Sequence, residues 1–501
     1  MTSFVLRGED IARFATASGD VNPLHVDDAY ARRTSFGRPI AHGILSTVAA
    51  LSAVPADVLA SAGRLAVRFP RPILDGVTYR VAVETKDDGS VLVVAREGDM
   101  PVLTVGLMPG RPLARAGTPV DRVLPPAPEV GRLDDWEAGV RFAGEYAVAS
   151  LDALRELAAR LGGSAIPPSV LGALAWSSWF VGMRCPGRDA LFSSLTIELA
   201  EPSSPNGPPG GSPADYTATI RSIDARTGTL VIDAACGGLS MEIRACLRSP
   251  VPRPTWESAT SALPRSERLA GSSVLVVGGG RGLGGAITSV LAAQGATVWA
   301  TQRTPGAVEE LQRTFGDDRV RPLLLDAAAP EVVRHAVGEL DAAGVKLDGM
   351  VLNAGPAVRP LTVHPDNVAA IAQFVNSSLL TALTPLAAAA ERMAPGGWLA
   401  VISSSAVEDT PEQWPHYSVA KAAVEMLGTY FARRRGLRVL VARPPKMWTD
   451  MSNGPLGRIG AIPTEQVASA IAEWVIDGDT GAGVTLLGSG DLRGWSAARS
   501  R

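Results

Sequence analysis

"VLVVGGGRGLGGAI", residues 274–287, runs four apolar residues into a glycine cluster and then into an apolar helix start. Glycine is needed where a backbone turns tightly or approaches another group closely. A strand, a glycine turn and a helix in that order leave the unpaired N–H groups of a helix N-terminus facing a crevice, where a pyrophosphate can lie. On its own such a loop is a weak signal. Working outward, "TVWATQR" (297–303), "MVLNAG" (350–355), "WLAVISSS" (398–405), "RVLVARP" (438–444) and "GVTLLG" (483–488) read as apolar strands separated by helical patterns. That alternation predicts an α/β doubly wound parallel sheet over residues 271–501.

The same region carries residues suited to proton transfer. "YSVAK" (417–421) sets a tyrosine and a lysine one helical turn apart, on one helix face. The chain has six tyrosines and four lysines (Lys86, Lys346, Lys421, Lys446), so a chance Y-x3-K occurs in roughly one such chain in twenty. Ser404 lies thirteen residues before Tyr417, and Asn376 twenty-three after Asn353. Together these stretches resemble the short-chain dehydrogenase/reductase family, of the β-ketoacyl-thioester reductase type. The resemblance covers residues 271–501 and implies a Rossmann-like domain with a nicotinamide cofactor.

By that resemblance Tyr417 gives a proton to a carbonyl oxygen while hydride reaches the carbon. Lys421 lowers the phenol's pKa by its charge, Ser404 holds the carbonyl or developing alkoxide, and Asn376 holds a relay water. The implied cofactor contacts are Gly278, Arg281, Gly282, Leu283, Gly284, Arg303, Asp326, Asn353, Ala354, Gly355, Tyr417, Lys421 and Thr449, the last at the nicotinamide carboxamide. Two departures stand out: Val277 replaces the threonine that opens the glycine motif, and Pro445 replaces a glycine after the strand-six proline. Neither removes a catalytic group. The second strand ends in Gln302, where NAD-specific members carry an acid for the ribose 2′-hydroxyl. With Arg303 adjacent and Arg281 in the turn, two guanidiniums and no carboxylate suit a 2′-phosphate, so NADP(H) is expected. Asp326, in "LLLDA", is read either as an acceptor from the adenine amine or as a strand-end cap.

A second constellation lies near the N-terminus. "SGDVNPLHVDD" (18–28) holds Asp20 and His25 in a turn-forming run with Asn22 and Pro23 between them. Alone, the pair could be a solvated carboxylate and a surface imidazole. "FGRPIAHG" (36–43) follows, placing Gly43 at the start of an apolar helix whose first N–H groups lack partners. A thioester carbonyl on those donors would have its developing enolate stabilised, and a carboxyl and an imidazole nearby could move protons at the α- and β-carbons. "FATASGDVNPLHVD" (14–27), "FGRPIAHG" and "FPRPILDG" (69–76) closely resemble the MaoC-like (R)-specific enoyl-thioester hydratases, which have the hot-dog fold. That resemblance implies Asp20 and His25 as the catalytic pair, Asn22 as an orienting group and the Gly43 N–H as oxyanion donor. His42 reads as structural.

Residues 1–110 and 132–248 share an order of elements. In the first, a helix near 40–54 precedes strands at 64–69, 77–85, 90–96 and 101–107. In the second, "PSVLGALAWSSWFVGM" (168–183) precedes "LFSSLTIELA", "DYTATIRSID", "TLVIDAACG" and "MEIRACLRS". The expectation is an α+β double hot dog followed by the α/β doubly wound domain. The second repeat contains no histidine and cannot repeat the chemistry. Its Trp176, Trp179 and Phe180 are read as core residues or as the wall of an acyl tunnel. Pro/Gly-rich stretches at 109–131 and 249–270 read as linkers, and 201–215 as a loop between strands.

Composition sets limits. Among 501 residues, 46% are hydrophobic and 19% charged, with a net charge of −3 and no long Lys/Arg block, so nucleic acid is not an expected partner. No uninterrupted apolar run of 18 or more residues suggests a membrane span, and the N-terminus shows no signal-like segment. Three cysteines without pairing or metal-like spacing suit a cytoplasmic protein without a metal. The expected enzyme reduces a β-ketoacyl thioester and dehydrates the (R)-3-hydroxyacyl product, on an acyl carrier protein or CoA, as a homo-oligomer. Its rivals are the same steps reversed, in the β-oxidation direction, and a reductase whose hot dogs only dock acyl groups or carriers.

Overall fold

Strand order in the first part of the chain is a mirror. The strands are β1 (Thr2–Val5), β2 (Ala62–Arg68), β3 (Thr78–Thr85), β4 (Val91–Glu97), β5 (Met100–Pro109), β6 (Arg141–Glu145), β7 (Ala190–Leu199), β8 (Asp215–Asp224), β9 (Thr229–Cys236) and β10 (Leu239–Leu247). They form one ten-stranded sheet in the order β1-β3-β4-β5-β2-β7-β10-β9-β8-β6. Read from either edge inward, the strands of each half come in the same sequence: first, third, fourth, fifth, second. The halves join where β2 pairs antiparallel with β7, Leu65 opposite Ile197 and Val67 opposite Leu195. Each half packs an apolar helix against its strands, Gly43–Leu51 in the first and Pro168–Trp179 in the second. Alternation explains the strands: Val91, Val93 and Ala95 of β4 are buried, with Leu92 and Val94 between them on the other face.

The structure, a computed structural model, describes residues 2–116, 129, 131, 133–146, 148–200, 215–478 and 483–495. The chain divides into two compact units between Pro250 and Val251, with Gly454–Leu456 grouped in the first. Segments 1–110 and 132–248 thus share one unit because they share one sheet. Most of the loop expected at 201–215 and part of the linker at 109–131 lie outside the described residues. Trp176, Trp179 and Phe180 are almost wholly buried and pack with Tyr146, Phe142 and Tyr216, which makes them core.

The second unit has seven parallel strands: β11 (Ser273–Val277), β12 (Thr297–Gln302), β13 (Val320–Leu324), β14 (Leu347–Leu352), β15 (Met393–Ile402), β16 (Arg438–Ala442) and β17 (Val484–Leu487). Their order is β13-β12-β11-β14-β15-β16-β17, so direction reverses at β11 and opens a crevice beyond its C-terminal end. The linker expected at 249–270 is only partly one. Helix Trp256–Ala262 lies within it, capped by Thr255 and anchored by fully buried Ala259 and by Trp256 against Phe315. Seven residues without a long apolar stripe gave no periodic signal.

Candidate active sites

The turn at 18–27 is built by side chains that bond their own backbone. Asn22 caps the short helix Pro23–Val26 by accepting from the Leu24 N–H, and the Ser18 hydroxyl accepts from the Asp20 N–H. That turn meets the N-terminus of helix Gly43–Leu51 and brings Asp20 and His25 together with His42, their ligand-type atoms all within 4.8 Å. His25 Nδ1 lies 2.8 Å from the Ile40 carbonyl. A carbonyl only accepts, so Nδ1 carries the proton and Nε2 keeps a lone pair. His42, read from sequence as merely structural, is a member of the cluster. Its ring stacks on His25 with centroids 3.8 Å apart, and its Nε2 lies 3.0 Å from the Asp20 carbonyl and 3.8 Å from Oδ2. The ring planes are only 29° apart, so the in-plane lone pairs run side by side rather than converging on one ion.

Burial sets the protonation here. It pushes His25 down to about 3, helped by His42, and His42 down to about 4, so both rings are neutral at pH 7. Burial raises the pKa of Asp20, while His25 and the Ser178 hydroxyl pull it partway back. A neutral imidazole and a carboxyl inclined to hold its proton are a base and an acid at one place. Gly43 completes the geometry: it opens the helix, its N–H has no intrahelical acceptor, and a Cβ there would fall 2.8 Å from the Phe69 ring.

The half without histidines also reaches this site, through bonds to Asp20 and Asn22 that sequence reading did not foresee. Ser178 Oγ donates to Asp20 Oδ2 at 2.6 Å. Asn22 Nδ2 donates to the Gly182 carbonyl at 2.8 Å and to that of Arg188 at 3.2 Å. These partners are about 160 residues apart in the chain, a distance at which no spacing rule operates.

In the second unit the quoted glycine turn has the conformations its residues allow. Gly278 and Gly282 have φ of 79° and 51°, and a Cβ on Gly284 would lie 1.9 Å from the Gly278 carbonyl oxygen. Thr301, on β12, accepts from the Gly278 N–H at 2.8 Å, so a hydroxyl still braces a turn that opens with Val277. Asn353 Nδ2 donates to the Gly278 carbonyl, Ala354 packs beneath Gly278, Leu283 is buried and Thr449 lies beside Gly282. Among the described residues no side chain caps helix Gly282–Ala293, so its first N–H groups are placed to meet a phosphate. The cradle fits the phosphates of a dinucleotide.

Tyr417 and Lys421 sit on helix Pro415–Arg435, facing the end of β15 that carries Ser404. Ser404 bonds the phenol, and Lys421 Nζ donates to the Ile402 carbonyl at 2.8 Å, 5.8 Å from the Tyr417 ring centre. Burial outweighs the Ser404 bond and raises the phenol's pKa. Burial also brings Lys421 down to about 8 against the pull of Glu425. Behind Lys421 lies a network that sequence reading missed. Glu425 takes Arg443 Nε and Nη2 at 2.8 and 2.7 Å and also accepts from Ser403, tying the ends of β15 and β16 to the Tyr417 helix. Asn376 is exposed on helix Val368–Ala389, its side chain unbonded among the described residues.

The groups expected to choose the cofactor are arranged less simply than their spacing suggested. Arg281 pairs with Asp450 at 3.1 Å. Arg303 is exposed, with no ion pair among the described residues. A carboxylate is present after all: Gln302 Nε2 donates to both oxygens of Glu309, at 2.6 and 2.7 Å. Asp326 takes the capping role, accepting from the Ala328 N–H at 3.0 Å. Nothing in the packing explains Gly355, where a Cβ meets no atom within 4 Å.

The chain matches the short chain dehydrogenase family over residues 272–455 and the MaoC like domain over residues 2–100. It is 30% identical over 207 residues to a D-erythrulose reductase of Gallus gallus, covering 40% of this chain and 79% of that protein. It is 56% identical over 36 residues to an (R)-specific enoyl-CoA hydratase of Aeromonas caviae, and 35% identical over 86 residues to a 3-hydroxybutyryl-CoA dehydratase of Methylorubrum extorquens. Those matches cover 7% and 16% of this chain, and only 27% and 54% of the two relatives' own lengths.

Proposed function

The chain belongs to the short-chain dehydrogenase family and carries a MaoC-like domain at its N-terminus, and from this premise we propose a bifunctional enzyme. It reduces a β-ketoacyl thioester with NADPH to the (R)-3-hydroxyacyl thioester and removes water to give the trans-2-enoyl thioester, on an acyl carrier protein or CoA, in the biosynthetic direction. One observation carries the reading: a single chain holds both an acid–base pair beside a helix N-terminus and a Ser404–Tyr417–Lys421 set beside a dinucleotide cradle. The mirrored strand order supports reading the first unit as a double hot dog, with one half catalytic.

When bound, the reduced nicotinamide supplies hydride to the ketone carbon. Tyr417 gives its phenolic proton to the ketone oxygen, Ser404 holds that oxygen, and the Lys421 ammonium stabilises the phenolate left behind. In dehydration the thioester carbonyl rests on the Gly43 N–H. His25 Nε2 takes the α-proton, and Asp20 gives its proton to the β-hydroxyl, which leaves as water. Arg303, exposed at the end of β12 and without an ion pair among the described residues, supports NADPH. A second reading, hydration and NAD+-linked oxidation, draws support from Glu309 and from the pairing of Arg281 with Asp450.

Incubating the protein with an acetoacetyl thioester and NADPH should yield both 3-hydroxy and enoyl products. Tyr417→Phe should yield neither, and Asp20→Asn should stop at the alcohol, with at least about a 10²-fold loss of dehydration. A wild-type protein that makes only alcohol and does not hydrate a supplied enoyl thioester would reduce the first unit to a docking module. Tighter binding of NADH than NADPH would favour the oxidative reading.

A further inference from the structure

The Asp20 carboxyl takes its shortest hydrogen bond from the half of the sheet that has no acid–base pair of its own. Its carboxyl lies between Ser178 and Gly182, four residues apart at the end of the second half's buried helix. There the helix Pro168–Trp179 loosens into a π-helical turn, Phe180–Arg184. Such turns are strained and are often kept where they serve a site. Gly182 approaches so closely that a Cβ on it would lie 2.4 Å from Asp20 Oδ1. A helical serine commonly spends its hydroxyl on the carbonyl of the preceding turn, as Ser177 does on Leu174. Ser178, 5% exposed, instead gives its proton to Asp20 Oδ2 at 2.6 Å, while the Asn22 N–H reaches Oδ1 at 3.3 Å.

We propose that Ser178 is a positioning residue of the dehydratase site, holding and aiming the Asp20 carboxyl from the non-catalytic half. The proposal rests on the dehydratase reading above. The titratable groups facing Asp20 are His25, His42 and Tyr146, whose hydroxyl donates to the Ser18 carbonyl. Asp20 and His25 share one working proton, and activity ends on the basic side where the pair loses it from Asp20. The Ser178 hydroxyl stabilises the ionised carboxylate and so brings that loss to lower pH.

The test is the pH dependence of hydration of crotonyl-CoA by the full-length protein. Ser178→Ala should move the basic limb of kcat up by about one pH unit and lower kcat with little change in KM. Ser178→Thr, which keeps the hydroxyl, should keep the wild-type limb. Ketoreduction by both variants should be unchanged because it belongs to the other unit, and an unchanged melting transition of the first unit in both variants shows that this unit is folded. An alanine variant with the wild-type limb, or one that loses rate without moving it, overturns the proposal. Hydration that survives Asp20→Asn instead overturns the dehydratase reading itself.

Discussion

His25 and His42 each bind a proton near pH 6.5 in an unfolded chain, but only near pH 3 and pH 4 in the fold. Between those values the unfolded state takes up more protons, so stability falls as the pH drops below about 6.5. Asp20 works in the opposite sense, because its raised pKa favours the fold while it is protonated, but it is one group against two. The first unit should therefore melt at a lower temperature at pH 5 than at pH 7.5, and His42→Phe should flatten that slope. Calorimetry of the whole chain decides the matter, and a first transition that is flat or rises toward pH 5 contradicts the argument. The pair Asp20 and His25 was legible because one short turn contains both, and Gly43 because it opens a helix. The contact of His42 with His25 was not legible, because it comes from stacking on a ring seventeen residues earlier. Ser178, and the pairing of Arg281 with Asp450, were out of reach because partners about 160 residues apart meet only through the finished sheets.

Elements with a clean period could be read, and short or mixed ones could not. The strands β2 to β5 and β7 to β10 alternate or run apolar for at least seven residues. β1 and β6 have four and five residues, and β13 reads "VRPLL", where a proline is tolerated because the strand lies at the sheet's edge. The glycine turn was read correctly as a turn, but its bracing hydroxyl lies on the neighbouring strand, at Thr301. Its tightest point is Gly284, where a methyl group would meet the Gly278 carbonyl oxygen. Gly284→Ala should force the turn apart, costing about 1–3 kcal/mol in the second unit and abolishing NADPH binding by fluorescence titration. Hydration of an enoyl thioester should persist, since Asp20 and His25 belong to the other unit. Unaltered NADPH affinity would mean that the cofactor does not use this turn.

At the scale of the whole molecule, the helix Val368–Ala389 calls for a partner. The segment Pro365–Arg392 is long and apolar enough to cross a membrane by length and composition: its 18-residue apolar stretch has a mean hydropathy of 1.3, yet only 17% of that stretch is buried. Its exposed or half-exposed residues Val368, Ala372, Val375, Leu379 and Leu383 fall at intervals of three and four, forming one stripe. The neighbouring helix Pro415–Arg435 carries a similar stripe, with Val419, Met426 and Tyr430 exposed. Two adjacent apolar stripes form one exposed patch of the kind that marks an interaction surface, and a second copy presenting the same two helices would cover it by a two-fold, self-complementary contact. A charge amid such a contact would be buried without a partner. We therefore expect the protein to be at least a dimer in sedimentation at micromolar concentration. Leu383→Glu combined with Met426→Glu should give monomers that still bind NADPH, because neither side chain belongs to the glycine cradle. A wild-type chain that sediments as a monomer, or a double variant that stays associated, would assign the stripes to some other surface.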